Sequence, residues 1–209
     1  MRAVIQRVTS ASVTVNQTEI SRIGKGLCVL IGIGTDDTTK EMSYIVSKIL
    51  SLRLFPSSAS SSSSASSLSL PSNPTPIQSA IHPTTTYKNT EDNQPDHHLT
   101  RGNNNLDQQE EEKPSSAHKE WTKSVRDIDG EVLIVSQFTL MAKTKKGNKP
   151  DFHNAMKTDL SKALYEELLK SLKSTYSEAL IKEGQFGAMM NVNISNDGPV
   201  TIILDTNDK

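Results

Sequence analysis

The residues able to do chemistry in this chain fall in three short segments. Ser136-Gln137-Phe138-Thr139-Leu140 follows directly on the apolar run Val132 to Val135. Hydroxyls, an amide and a ring therefore emerge where a core strand ends, a common place for a site. An ordinary strand terminus with satisfied hydroxyls is the plain alternative. Asn196-Asp197-Gly198-Pro199-Val200-Thr201 joins the most permissive backbone unit to the most rigid one. Asp-Gly and Gly-Pro are both turn signals, and composition does not choose between cis and trans before Pro199. Lys143, Lys145, Lys146 and Lys149 place four cations within seven residues with no acid among them. That pattern suits phosphate positioning, and equally a solvated loop.

More familiar catalytic sets are missing. His153 is the only histidine outside 56–120, and no Ser-His-Asp set surrounds it. In Pro150-Asp151-Phe152-His153 it reads as a loop or packing residue. Gly24-x-Gly26 and Gly32-x-Gly34 lack the third glycine of a dinucleotide fingerprint. Asp36, Asp37, Glu166 and Glu167 sit where helix caps and solvated faces would put them. Cys28 is the only cysteine, which excludes an internal disulfide and a Cys-based zinc site. Within Leu27-Cys28-Val29-Leu30 it reads as a small buried hydrophobe. His82, His97, His98 and His118 match no ligand spacing. No metal and no cofactor are expected, and no side chain announces itself as nucleophile or base.

The elements that must position these segments are those of an α+β chain. Ala3 to Val15 is rich in Val and Thr with partial alternation, and Ile20 to Ile23 and Leu27 to Ile33 continue as strands punctuated by Gly24 and Gly26. Thr38 and Glu41 have capping-box spacing ahead of Met42, Ile45, Val46, Ile49 and Leu50, one amphipathic helix. Asp129-Gly130 signals a turn into a buried strand over Val132 to Val135. A second helix is predicted from about Asp159 to Tyr176, with Leu160, Ala163, Leu164, Leu168 and Leu172 on one face. Met189 to Ile194 and Val200 to Leu204 read as two strands flanking an Asn196 to Pro199 turn. Adjacent β-runs at both ends favour a single domain with an antiparallel or mixed sheet and two main helices.

Polarity is concentrated in one place. Of 209 residues only 34% are hydrophobic and 4% aromatic, low for a globular chain. Pro56 to Glu120 holds 14 serines, seven of the nine prolines and only 11 hydrophobic residues. Such a tract cannot bury enough surface to offset its ordering entropy, and it is read as a disordered insertion. What remains, 1–55 and 121–209, is about 42% hydrophobic, an ordinary single domain. Residues 1–55 alone are too few to bury a core, which favours an insertion within one domain over a linker between two. Lengthening a loop to this size adds only about 2 kcal/mol of closure cost. Charge separates too: the tract carries 4 basic and 8 acidic residues, which leaves the rest at +3 although the chain totals -1. The longest apolar run, Leu27 to Ile31, has five residues against the roughly 20 of a membrane-spanning helix. With no signal-peptide pattern at Met1 to Arg7, a cytosolic address is the default.

Arg2 to Val15, with Gln6-Arg7-Val8 and Ala11-Ser12-Val13, together with Ser136 to Leu140, Phe186-Gly187 and Asn196 to Thr201, resembles D-aminoacyl-tRNA deacylase. The likeness covers essentially all of 1–55 and 121–209, with two specific motifs in the right order. It implies a homodimer that hydrolyses the ester joining a D-amino acid, or glycine, to the 3′-terminal adenosine of tRNA, and so enforces homochirality in translation. Ser136, Gln137, Phe138 and Thr139 would then floor the pocket facing the ester. Gly198 and Pro199 would form a cis dipeptide that reaches into the partner subunit's pocket and leaves no room for an L side chain. Arg7 would brace that dipeptide, and Phe186 and Gly187 would line the adenine pocket. The attacking water would be assisted by the ribose 2′-hydroxyl, with backbone N–H groups near Phe138 and Thr139 stabilising the oxyanion. Thr139 is also a conceivable nucleophile, but no adjacent base is visible, which favours a positioning role. The insertion departs from the family pattern. A non-catalytic nucleic-acid-binding module using Lys143 to Lys149 is the reading from another class.

Overall fold

The structure, a computed structural model, describes residues 1–57 and 119–208. Nearly all of the predicted insertion, with its four histidines, lies outside the described residues.

The organising element is β1 (Arg2–Val15), whose alternating side chains bury Ala3, Ile5, Ala11 and Val13. Two partners share one of its edges. β2 (Thr18–Ile23) pairs antiparallel with residues 11–15, and β3 (Gly26–Gly32) pairs antiparallel with residues 2–8. Asn16 and Gln17 make the β1–β2 reversal with φ of 48° and 65°, the positive pair that a tight hairpin of native twist requires. β3 then runs parallel to β4 (Glu131–Ser136), and β4 parallel to β5 (Ile181–Glu183). Parallel neighbours need a crossover, and helices α1 (Thr39–Ser51) and α2 (Thr158–Thr175) provide them. The fold is thus α+β with a mixed sheet and two main helices, as expected. Among the described residues no helix is long and apolar enough to cross a membrane.

α1 forms as its sequence dictates. The Thr38 side chain accepts from the backbone at the first turn while Glu41 reaches back to the cap, and Met42, Ile45, Val46, Ile49 and Leu50 are buried. In α2 the predicted stripe holds at Leu164, Leu168 and Leu172 but is rotated in the first turns. Ser161, Leu164, Tyr165, Leu168, Leu169 and Leu172 are buried, whereas Leu160 is 63% exposed and Ala163 is exposed. Tyr165 explains the rotation: its hydroxyl donates to the Ile134 carbonyl of β4 at 2.9 Å, which turns this face of the helix inward. Burial, with Glu183 nearby, pushes that hydroxyl's pKa well above the ordinary tyrosine value. Cys28 is fully buried, and burial pushes its thiol up to about 11.

The expectation of two C-terminal strands around a turn is corrected. β6 (Asn191–Asp205) is one 15-residue strand, antiparallel to β1 from Arg2↔Asp205 to Thr14↔Asn191. The chain does not reverse at Asn196 to Pro199, because both halves of β6 pair with the same strand in the same direction. The segment is instead an irregularity, with register shifts between Gln6 and Val8 and between Val8 and Ser10.

Two close approaches fix the sheet. A Cβ at Gly26 would lie 1.8 Å from the Glu131 carbonyl oxygen, so only glycine lets β3 and β4 meet there. At the other end a Cβ at Gly32 would lie 2.8 Å from Leu140 Cβ, which seats the segment after β4 directly on β3. Phe55 and Lys123 bridge, and the Ser57 N–H donates to the Lys119 carbonyl at 3.0 Å. The chain therefore leaves and re-enters the described residues at neighbouring points.

Candidate functional site

Ser136 ends β4, and the Gln137 N–H donates to the Ile31 carbonyl at 2.7 Å, which extends the parallel ladder by one step. The chain then tightens into a 3-10 turn, Phe138–Met141, held by Leu140 N–H to Gln137 O at 3.2 Å and Ala142 N–H to Thr139 O at 3.1 Å. The leading N–H groups of such a turn, those of Phe138 and Thr139, have no acceptor within it. Gln137 and Thr139 are joined side chain to side chain, Nε2 to Oγ1, and both Phe138 and Thr139 are exposed. Arg2 locks the turn from behind, donating to the Leu140 carbonyl at 2.8 Å and to the Asp205 carboxylate at 2.6 Å.

Gly198 and Pro199 lie elsewhere on the sheet. Both are exposed, the peptide bond between them is cis, and Gly198 has φ of 118°. Arg7 holds the approach to them from below. It is buried on β1, and its Nε lies 3.3 Å from the Asp197 carbonyl and 3.1 Å from the Asp197 carboxylate. Its Nη1 donates to the Leu54 carbonyl at 2.7 Å and faces Glu120 at 3.9 Å. A Cβ on Gly198 would meet Arg7 Nη2 at 3.3 Å and the Val200 side chain at 2.9 Å. The contacts of Arg7 with Leu54, Glu120 and the Asp197 carboxylate were not foreseeable from spacing, since they join residues up to 190 positions apart.

Arg7 and Gly198 are brought together; Ser136 to Thr139 and Gly198-Pro199 are not. Ser136 pairs with Ile31, which pairs with Ala3, whereas the dipeptide lies beside Arg7 further along β1. No hydrogen bond or ring contact among the described residues joins the two segments. Phe186 packs against the core beside Tyr165, ring centroids 5.5 Å apart, and Gly187 follows with φ of 74° and open space where a Cβ would stand. Lys143, Lys145, Lys146 and Lys149 are all exposed, on a loop that closes where Lys143 and Asp151 bridge. His153 is an exposed loop residue with its ring against Asp151. Phe152, which sequence reading passed over, stacks edge-on to Phe138 at 5.2 Å. Its only advance signal is its place next to a histidine just beyond the lysine run.

Two clefts lie away from these residues: one of about 460 Å³ beside Lys170, Lys173 and Glu183, and one of about 630 Å³ beside Arg53, Ser124 and Arg126. Neither is lined by 136–139, 186–187 or 198–199.

The family described as D-Tyr-tRNA(Tyr) deacylase matches residues 4–105 and 105–205. Human D-aminoacyl-tRNA deacylase 1 is 40% identical over 206 residues, covering 99% of this chain and 70% of the relative. The D-aminoacyl-tRNA deacylase of Saccharomyces cerevisiae is 38% identical and covered to 99% on both sides. Among solved structures, c-Myc DNA Unwinding Element Binding Protein superposes with a TM-score of 0.68 at 39% identity over 99% of each chain. A probable eukaryotic D-amino acid tRNA deacylase superposes with a TM-score of 0.60 at 16% identity over 97% of each chain, a likeness of fold.

Proposed function

The chain belongs to the D-aminoacyl-tRNA deacylase family, and from that membership we propose how its residues carry the reaction. It hydrolyses D-aminoacyl-tRNA, releasing the amino acid and tRNA. The 3-10 turn after β4 is the floor against which the ester sits. Water attacks the ester carbonyl with help from the terminal ribose 2′-hydroxyl. The Phe138 and Thr139 N–H groups receive the developing oxyanion, roughly 3 kcal/mol from each well-placed donor. Thr139, held by Gln137, positions the substrate. Phe186 and Gly187 take the adenine, where a ring and an open glycine suit a purine. Lys143, Lys145, Lys146 and Lys149 attract phosphates.

The observation that carries this reading is the separation just described. An exposed Gly198-Pro199, braced by Arg7 and remote from its own chain's turn, is built to act on another subunit's pocket. A second copy would also cover β6, which pairs only with β1 among the described residues and leaves Ile203 72% exposed. In that homodimer the Gly198-Pro199 carbonyls accept the substrate ammonium and exclude an L side chain. Glycine, with no side chain, passes the same filter, so glycyl-tRNA is also a substrate. Cytosolic translation proofreading is part of the same reading.

Incubation with D-Tyr-tRNA, L-Tyr-tRNA and Gly-tRNA tests it: the D and glycyl esters should disappear while the L ester survives. Binding without hydrolysis would favour the non-catalytic module. Thr139→Ala should lose less than about tenfold in kcat; abolished chemistry with binding intact would make Thr139 the nucleophile and sink the RNA-assisted route.

Residues 1–55 and 121–209 form the catalytic domain in this reading, and 56–120 is an insertion without a part in chemistry. The ladder that joins Ser57 to Lys119 allows a short turn to replace 58–118. The shortened protein should fold and retain D-Tyr-tRNA hydrolysis within about threefold, since loop length enters stability only logarithmically. A folded deletion variant without hydrolysis would refute this.

A further inference from the structure

We infer that Phe152 and His153, with the lysine loop preceding them, form a track for the unpaired nucleotides just upstream of the substrate's terminal adenosine; the inference rests on reading the substrate as aminoacyl-tRNA. The loop is closed by reciprocal bonds, Lys143 N–H to Asp151 O at 2.8 Å and Asp151 N–H to Lys143 O at 2.9 Å, so Lys145, Lys146 and Lys149 are presented from a fixed base. Phe152 follows that base immediately. Its ring meets Phe138 at 5.2 Å with an interplanar angle of 66°, and Phe138 is itself 60% exposed on the turn that floors the candidate pocket. One aromatic contact thus joins the cationic loop to the place where the ester would react. His153 extends the surface with its ring almost wholly exposed.

Charge and ring type together choose the occupant. Residues 136–157 contain five lysines and a single acid, Asp151. That acid is already engaged by His153, whose backbone N–H donates to it at 2.8 Å and whose ring contacts the same oxygen. The hydrogen bonds from His153 hold the Asp151 carboxyl below the ordinary aspartate value, with Lys143 adding a smaller pull. A second protein copy would not be expected to meet so many unpaired lysines, because lysine is depleted at protein interfaces. Duplex RNA would call for the cations but not for the exposed rings of Phe138 and His153 or the half-buried ring of Phe152. A single strand uses both, its bases stacking on rings while its phosphates meet the lysines.

The test compares affinities of the full chain for the single-stranded tetranucleotide ACCA, for adenosine alone, and for ACCA within a duplex. Wild type should bind the single strand more tightly than either other probe. In Phe152→Ala the ratio of ACCA affinity to adenosine affinity should fall about tenfold, as for loss of one stacked base. Phe152→Trp should keep the ratio, and His153→Ala should lower it less. An unchanged ratio in Phe152→Ala, or wild type binding the duplex as tightly as the single strand, overturns the track. These affinities are read without catalysis, so failure to hydrolyse D-Tyr-tRNA would count against the functional reading alone.

Discussion

Arg7→Ala is expected to cost about 2 to 4 kcal/mol of unfolding free energy and to lower kcat/KM on D-Tyr-tRNA by about a hundredfold or more. The stability loss follows from what the guanidinium leaves behind. The Leu54 carbonyl loses its 2.7 Å donor, and the Asp197 carboxylate its cation. Asp197 is about a third exposed, so water recovers part of the charge and the figure stays below that of a fully buried pair. The activity loss follows from position, because Arg7 grips the residue just before Gly198 through both backbone and side chain. Arg7→Lys keeps the charge but offers no fork, and should recover most of the stability and little of the rate. Urea unfolding and single-turnover deacylation measure the two effects separately. If a folded Arg7→Ala protein works within twofold of wild type, Arg7 is a packing residue and the proposed brace is wrong.

Gly26→Ala should be the most damaging single methyl in the sheet. The new carbon would fall 1.8 Å from the Glu131 oxygen, 2.7 Å from its carbonyl carbon and 2.8 Å from its nitrogen. All three are backbone atoms, with no flexible side chain to swing away. β3 and β4 must part where Glu131 N–H reaches the Lys25 carbonyl at 3.1 Å, and where the Gly24 N–H meets the Glu131 carboxylate at 2.6 Å. The expected cost is about 3 kcal/mol or more, or roughly 6 to 12 °C in Tm for a domain of this size. Gly147→Ala is the matched control, since nothing lies within 4 Å of its Cβ and only its φ of 71° opposes the change. Thermal unfolding of the pair decides; equal midpoints would mean that the β3–β4 approach is not tight in solution.

How much of this was legible depends on whether the deciding interaction is local. α1 could be read because its cap, Thr38 with Glu41, and its stripe lie within one short window. The face of α2 was legible in part, with Leu164, Leu168 and Leu172 turned inward as their spacing implies. Leu160 and Ala163 fit the helical spacing, and only the Tyr165 hydroxyl on β4 says which stripe turns inward. β5 has three residues, too few to carry a period, and exists because β4 offers an edge. Asn196 to Pro199 has every local mark of a reversal, yet β1 holds both of its flanks in line. The candidate site divides in the same way. Ser136 to Thr139 announce themselves at a strand end, whereas Arg7 is one more residue of a strand until Asp197, Leu54 and Glu120 are seen around it. Those neighbours come from remote parts of the chain, which neither periodicity nor composition can bring together.

The pairing of β1 with β6 also bears on when the protein becomes an enzyme. β1 is made well before β6, with some 190 positions between Arg7 and Asp197. At about 5 to 20 residues per second on the ribosome, β1 waits roughly ten to forty seconds for the strand that completes it. During that time one edge of the central strand is unpaired and Gly198-Pro199 does not yet exist. The high contact order that results makes the last strand a gate on assembly. A chain cut short before β6 lacks both the second partner of β1 and the proposed selector beside Arg7, so the sheet and the proposed discrimination against L esters are completed by one and the same strand.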